Sequence, residues 1–236
     1  MDADIVEIWR IRLTGVTLGE EYLKLLSAGE RVRAERFRFE EDRSRYIASH
    51  VAVRCILAKH AGCEARSLVF CEGANGKPEL EGAAIHHNLT HSGDLALLAV
   101  SLGEPVGIDI EKTRFVPEAL DIAGRMFSEP ERRMLVEAPE QEQSDLFLRC
   151  WTAKEAVVKA TGQGLSGALQ SFDVTATLRS EDSVVDLPGV DKFPWVVRSL
   201  NPGADYFGAV ARRNNVGRLE IRDWDAPAQA TAGERS

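Results

Sequence analysis

The chain has 236 residues and a mass of 26.0 kDa, with 44% hydrophobic content, enough for one large core or two small ones joined without a linker. Its formal net charge of −8 argues against general nucleic-acid binding, which depends on Lys and Arg neutralising phosphates. The acidic, alternating start Met1 to Glu7 lacks the basic and apolar regions of a signal peptide, and no apolar run reaches the length of a membrane span; a cytoplasmic location without a membrane partner is expected.

Alternation from Ile5 to Leu13 predicts an opening strand, followed by helical segments near 19–27 and 29–38. A longer helix is expected from about 42 to 61, with Ile47, Val51, Ile56 and Leu57 on its apolar side and Gly62 as its stop. The stretch from Arg31 to Arg66 is locally basic despite the acidic whole, so it is either a face of Glu/Arg pairs or a dock for an anion. Short strands follow at 68–71, 87–90 and 95–100, separated by the turns Asn75-Gly76 and Ser92-Gly93. Cys55, Cys63, Cys71 and Cys150 form no C-x-x-C pair and have no His at zinc-site spacing, so they read as reduced and structural.

After Gly103 to Pro105 the same order returns. A strand at 106–111 precedes helical segments near 117–126 and 128–137, the second opened by Ser128-x-x-Glu131 at capping-box spacing. A long helix from about 142 ends at Gly162, and strands are predicted at 172–178, 195–200 and 206–211. The second run trails the first by roughly 100 residues. The expected fold is therefore α+β with two structurally similar halves related by a pseudo-twofold, 1–104 and 105–224, each a small sheet packed on a long helix. A ligand site is expected in the cleft between them, and the tail 225–236 should be disordered.

Two segments carry the chemistry. In the strand from Val106 to Lys112, Ile108 and Ile110 point to one face while Asp109 and Glu111 share the other. On the helix from Trp151 to Lys159, Trp151, Glu155 and Lys159 fall at i, i+4 and i+8 on one stripe, with Lys154 beside it. Each feature alone has an ordinary account, a solvated strand face or a helical ion pair. Three carboxylates and two ammonium groups brought together instead suit a hard divalent cation bridging phosphate oxygens.

The pair Gly107-Ile-Asp-Ile-Glu-Lys112 and Trp151-Thr-Ala-Lys-Glu155-x-x-x-Lys159 resembles the two signature motifs of the 4′-phosphopantetheinyl transferases. Asn75-Gly-Lys-Pro78, Asn88-Leu-Thr-His-Ser-Gly93 and Phe127-Ser-Glu-Pro-Glu131 extend the likeness over about residues 5 to 212, in the family's order. The two-half length is similar to the monomeric, surfactin-synthetase-activating subgroup. The resemblance implies transfer of the phosphopantetheine arm from coenzyme A to a serine of an acyl or peptidyl carrier protein, releasing 3′,5′-ADP, with Mg2+ or Mn2+ required.

Carried over by position, the resemblance makes Asp109, Glu111 and Glu155 the metal-binding acids, and Glu155 also the base for the serine. Lys159 falls on the coenzyme A phosphates and Thr90 with His91 beside the coenzyme; Lys154, next to the stripe, is a further candidate coenzyme contact, with a plainly solvated lysine as its alternative. Lys77, Arg33 and Arg45 take the nucleotide end, where Lys77 has the alternative of a plain turn lysine, and a family lysine upstream of Arg33 is Glu30 here. Phe115, Val116, Met126 and Phe127 are candidates for an apolar carrier-docking patch or for core, while His86 and His87 read as structural. The alternatives are another Mg2+-dependent enzyme acting on a nucleotide pyrophosphate, or a module that binds coenzyme A or carrier without chemistry.

Overall fold

The computed structural model describes residues 4–15, 18–73, 76–162, 169–187 and 193–225. The elements in chain order are β1 (Ile5–Arg12), α1 (Glu20–Leu23), α2 (Ala28–Glu35), α3 (Glu40–Ala61), β2 (Phe70–Glu72), β3 (Pro78–Leu80), β4 (Ile85–Ser92) and β5 (Leu95–Leu102). They continue with β6 (Val106–Lys112), α4 (Ala119–Met126), α5 (Glu129–Glu137), α6 (Glu140–Thr161), β7 (Asp182–Val185), β8 (Trp195–Leu200), β9 (Tyr206–Arg213) and β10 (Arg218–Trp224). The class is α+β, as expected. Asn75 and the tail beyond Asp225 lie outside the described residues.

The strands form a four-stranded sheet ordered β10-β1-β5-β4, a second ordered β6-β9-β8-β7, and the separate β2-β3 pair. Strand β5 is apolar on both faces, and both are used. Ala96, Leu98 and Val100 pack against Val51, Ile56 and Leu57 of α3, while Leu97 and Ala99 turn to Ile108, Ile110 and Val210 of the second sheet. Helix α6 covers the other face of that second sheet through Ala153, Ala156, Val157 and Ala160. Gly107 sets the closeness of this contact, because a β-carbon there would overlap the carbonyl of Ala156 and the amide of Ala160.

The long helices α3 and α6 both stop on a left-handed glycine, Gly62 at φ 65° and Gly162 at φ 69°, the residue type that tolerates this turn without a Cβ clash. The Ser128/Glu131 capping box is formed, with Pro130 in the first turn of α5. Among the described residues no helix is long and apolar enough to cross a membrane.

One expected strand is corrected, and one unexpected strand appears. Residues 172–178 are not a strand: Leu169–Ser171 and Thr175–Leu178 are 3-10 turns, and the strand β7 comes later. Polar side chains have captured the backbone that a sheet would have used. Lys154 takes the carbonyls of Leu169 and Phe172, Glu131 takes the amide of Val174, and Asp173 takes the amide of Thr175. The last strand also changes sides. Residues 218–224, expected within the second half, run parallel to β1 in the first sheet, with Ile8 opposite Ile221. Their charged sequence, Arg218-Leu-Glu-Ile-Arg-Asp-Trp224, hid a strand because an edge strand keeps charge on its open side.

Candidate functional site

Strand β6 turns Asp109 and Glu111 towards α6, and α6 turns Trp151, Glu155 and Lys159 back towards them. Together with Leu89, Thr90 and His91 of β4 these side chains line a cavity of about 340 Å³. Asp109 is 5% exposed. Its Oδ1 accepts hydrogen bonds from Lys159 Nζ at 2.6 Å and Thr90 Oγ1 at 3.0 Å, and Lys159 Nζ also donates to Thr90 Oγ1 at 3.2 Å. Burial pushes the Asp109 carboxyl above its ordinary pKa, against the opposing pull of Lys159.

Glu155 shares this enclosure. Burial, reinforced by Asp109, raises its pKa to about 6, while Lys159 pulls the other way. Two carboxylate oxygens of the pair, Asp109 Oδ2 and Glu155 Oε1, are buried without a hydrogen-bond partner. A buried, unpaired carboxylate oxygen is costly, so these two atoms fit a cation. Glu111 is placed differently. Its Oε2 accepts from Arg114 Nη1 at 2.7 Å and Ser92 Oγ at 3.0 Å. Among the described residues no three His, Cys, Asp or Glu side chains are grouped to hold a metal. Arg114 and Ser92 thus hold one oxygen of Glu111, and Lys159 holds one oxygen of Asp109.

The His91 ring lines the cavity, and its pKa is lowered by burial first and then by Lys159 and Arg45, which favours the neutral imidazole. A second cavity of about 810 Å³ adjoins the first at Leu89 and is lined by Arg33, Tyr46, His50 and Arg54, among others. His50 stacks on Tyr46 with ring centres 3.9 Å apart, and the Arg33 guanidinium lies 5.7 Å from the centre of the Tyr46 ring.

The comparisons match the order of these parts. The family model described as the 4′-phosphopantetheinyl transferase superfamily matches residues 105–211, and the one described as the 4′-phosphopantetheinyl transferase N-terminal region matches 19–103. The 4′-phosphopantetheinyl transferase psf-1 of Bacillus pumilus is 38% identical over 196 residues, covering 82% of each chain. The chain belongs to the 4′-phosphopantetheinyl transferases. The 4′-phosphopantetheinyl transferase HetI of Nostoc sp. (strain PCC 7120) is 32% identical over 214 residues, 89% of this chain and 88% of that one. A Synechocystis sp. relative is 36% identical over 151 residues, which span 61% of its own length. The protein is thus a two-part transferase of the surfactin-synthetase-activating type, which places the phosphopantetheine arm on carrier proteins.

Several residues expected at the transferase's ligand are engaged by other groups of the protein. Lys154 is fully buried, donating to Glu131 Oε2 at 2.9 Å and to the carbonyls of Leu169 and Phe172 at 2.6 and 2.7 Å. With its three donors spent inside the core it has none for a phosphate, so the expected coenzyme contact is corrected to a structural one. Lys77 Nζ donates to the carbonyls of Val106 at 3.0 Å and Lys159 at 2.7 Å, and burial lowers its pKa to about 8. The Arg45 guanidinium is held by Glu41 at 2.8 Å and Asp94 at 2.9 Å. Glu30, the departure from the family lysine, caps α2 and pairs with Arg54 at 2.8 Å.

Of the residues considered for carrier docking, Phe115 is 74% exposed, whereas Val116 and Phe127 are core. Tyr46 and His50 were not among the residues expected at the site, and Arg54 was expected only as one cation of the basic stretch from Arg31 to Arg66. Their spacing along α3, every fourth residue, was a legible stripe, but a stripe with no acid or glycine signature reads as ordinary helix surface.

Proposed function

We propose that this transferase takes coenzyme A as donor and a serine of an acyl or peptidyl carrier protein as acceptor, releasing 3′,5′-ADP. Its active site is the cavity between β4, β6 and α6, lying in a cleft between two similar halves, 1–104 and 105–224, with β10 returning across the boundary. The observation that carries this reading is the pair of buried, unpartnered oxygens, Asp109 Oδ2 and Glu155 Oε1, beside the Lys159 ammonium. These two oxygens would hold Mg2+ or Mn2+, with Glu111 as the third acid beside them. When bound, the ion supplies Lewis-acid neutralisation and a template for the pyrophosphate.

The chain's own groups do the rest. The serine Oγ forms a bond to the β-phosphorus as the bond from that phosphorus to the bridging oxygen breaks, and the electron pair leaves with 3′,5′-ADP. Glu155 accepts the serine proton. Lys159 offsets the charge growing on the leaving phosphate, and Thr90 and His91 hold the coenzyme beside it. The nucleotide end extends towards the larger cavity, where Arg33 and the Tyr46/His50 stack offer a cation and planar faces. Phe115 offers the carrier an apolar contact. A monomeric, cytoplasmic enzyme completes the proposal, and the net charge of −8 supports the absence of a nucleic-acid partner.

The test is Glu155→Ala with Mg2+, coenzyme A and an apo carrier, read by intact mass. Coenzyme A binding should persist while the mass gain of the arm on the carrier disappears; wild-type turnover would overturn the assignment.

A further inference from the structure

Lys77 lies between β2 and β3 in the first part of the chain, yet both of its hydrogen-bond acceptors belong to the second. One is the carbonyl of Val106, the residue that opens β6; the other is the carbonyl of Lys159, in the last turn of α6. Carbonyls in a helix's last turn have no intrahelical partner, and the helix dipole favours a cation there, so an ammonium suits this position. The same two elements carry the reacting groups. Asp109 lies three residues beyond Val106 on β6, and Lys159 is itself the residue whose side chain holds Asp109 Oδ1 at 2.6 Å.

The junction gripped by Lys77 is also closely packed. At Gly107, next to Val106, the backbone of α6 rests on the strand with no side chain between. The Lys77 loop is in turn continuous with the wall of the larger cavity, which Gly76, Pro78 and Phe70 help to line. With two of three ammonium donors spent on main-chain carbonyls, the group is poorly placed to act as a free phosphate ligand. We infer that Lys77 is a positioning residue: it clamps the end of α6 and the start of β6 to the β2-β3 loop, and so keeps the Lys159 ammonium on Asp109. The inference goes beyond the proposed function and rests on it for the role of Lys159.

Lys77→Met keeps the length of the side chain and removes the clamp. Single-turnover transfer to an apo carrier and calorimetric binding of coenzyme A are measured for Lys77→Met, Lys77→Arg, Lys159→Ala and the Lys77→Met/Lys159→Ala pair. The expected result is a rate loss of about tenfold for Lys77→Met with coenzyme A affinity held within about twofold, because a small misplacement of a reacting group costs rate before binding. Lys77→Arg, which retains charge and reach, should recover most of that loss. In the Lys159→Ala background the same Met substitution should change the rate by less than about twofold, since residues acting through one another are not additive.

A coenzyme A affinity that falls about tenfold with an unchanged rate would overturn the inference in favour of a direct ligand. So would an equal loss in both backgrounds. A melting temperature lowered without any rate loss would reduce Lys77 to a structural contact. If Lys159→Ala alone transferred at the wild-type rate, the failure would lie in the proposed function, and the inference would fall with its premise.

Discussion

Lys159 and Asp109 meet at 2.6 Å between α6 and β6, and the contact satisfies only one of the two carboxylate oxygens. The ammonium therefore compensates the acid's charge without filling its coordination. Such a half-satisfied arrangement is poor economy for stability alone, because the second oxygen stays buried and unpaired. It is suited to a site where a cation arrives on one side while the lysine faces a substrate phosphate on the other.

Asp109→Asn keeps the shape and removes the charge. Transfer to an apo carrier should fall by about a hundredfold or more, in line with loss of a group that stabilises transition-state charge. The intact mass of the carrier against time is the measurement. A loss below about threefold would separate Asp109 from the chemistry.

Gly107→Ala tests the packing that brings the two motifs together. The new methyl group would meet backbone atoms of Ala156 and Ala160, which cannot rotate away as a side chain can. Destabilisation of about 3 kcal/mol is expected, at the upper end of overpacking effects, and is read from the urea midpoint. A variant as stable as the wild type would show that β6 and α6 are not as tightly apposed as their backbone distances indicate.

The Lys154–Glu131 pair is fully buried on both sides. Removing one partner leaves an uncompensated buried charge, so Lys154→Met should cost about 3–5 kcal/mol, and Lys154→Met/Glu131→Leu should regain part of it. At temperatures where the variants remain folded, calorimetry should find coenzyme A affinity unchanged. A selective loss of affinity in a stable Lys154→Met protein would restore the direct coenzyme contact that the sequence suggested.

His87 supplies a pH dependence. Burial first, then the charges of Lys77 and His86, lower its pKa from 6.5 to about 4. For a base whose folded pKa is depressed, the unfolded state binds the proton first. The contribution of neutral His87 to stability is thus whole above pH 6.5 and declines as pH falls towards 4, by at most about 3 kcal/mol. Urea unfolding at pH 7 and pH 5 should show a steeper decline for the wild type than for His87→Phe. Equal declines would mean that His87 is already charged in the native protein.

The parts of the site legible in the sequence were those set by local period. Asp109 and Glu111 share a strand face because side chains alternate, and Glu155 and Lys159 share a helix stripe because residues four apart are neighbours. The αL stops at Gly62 and Gly162 and the Ser128/Glu131 box were equally local. The segment 172–178 misled because its alternation of apolar and polar residues resembles a strand, while the lysine and two acids that claim its backbone reside on α6, on α5 and within the segment itself. No window on the sequence contains that competition.

By itself the sequence determined the alphabet of the site: which residues lie on one face of β6, which lie on one stripe of α6, and where both long helices stop. These follow from backbone geometry, which acts over a few residues. Only the tertiary structure decided how the cations are used. It sends Lys159 to Asp109, buries Lys154 on Glu131, turns Lys77 onto two carbonyls and returns β10 to β1. Each of those outcomes depends on what else has lost water nearby, and desolvation is set by packing between segments distant in the chain.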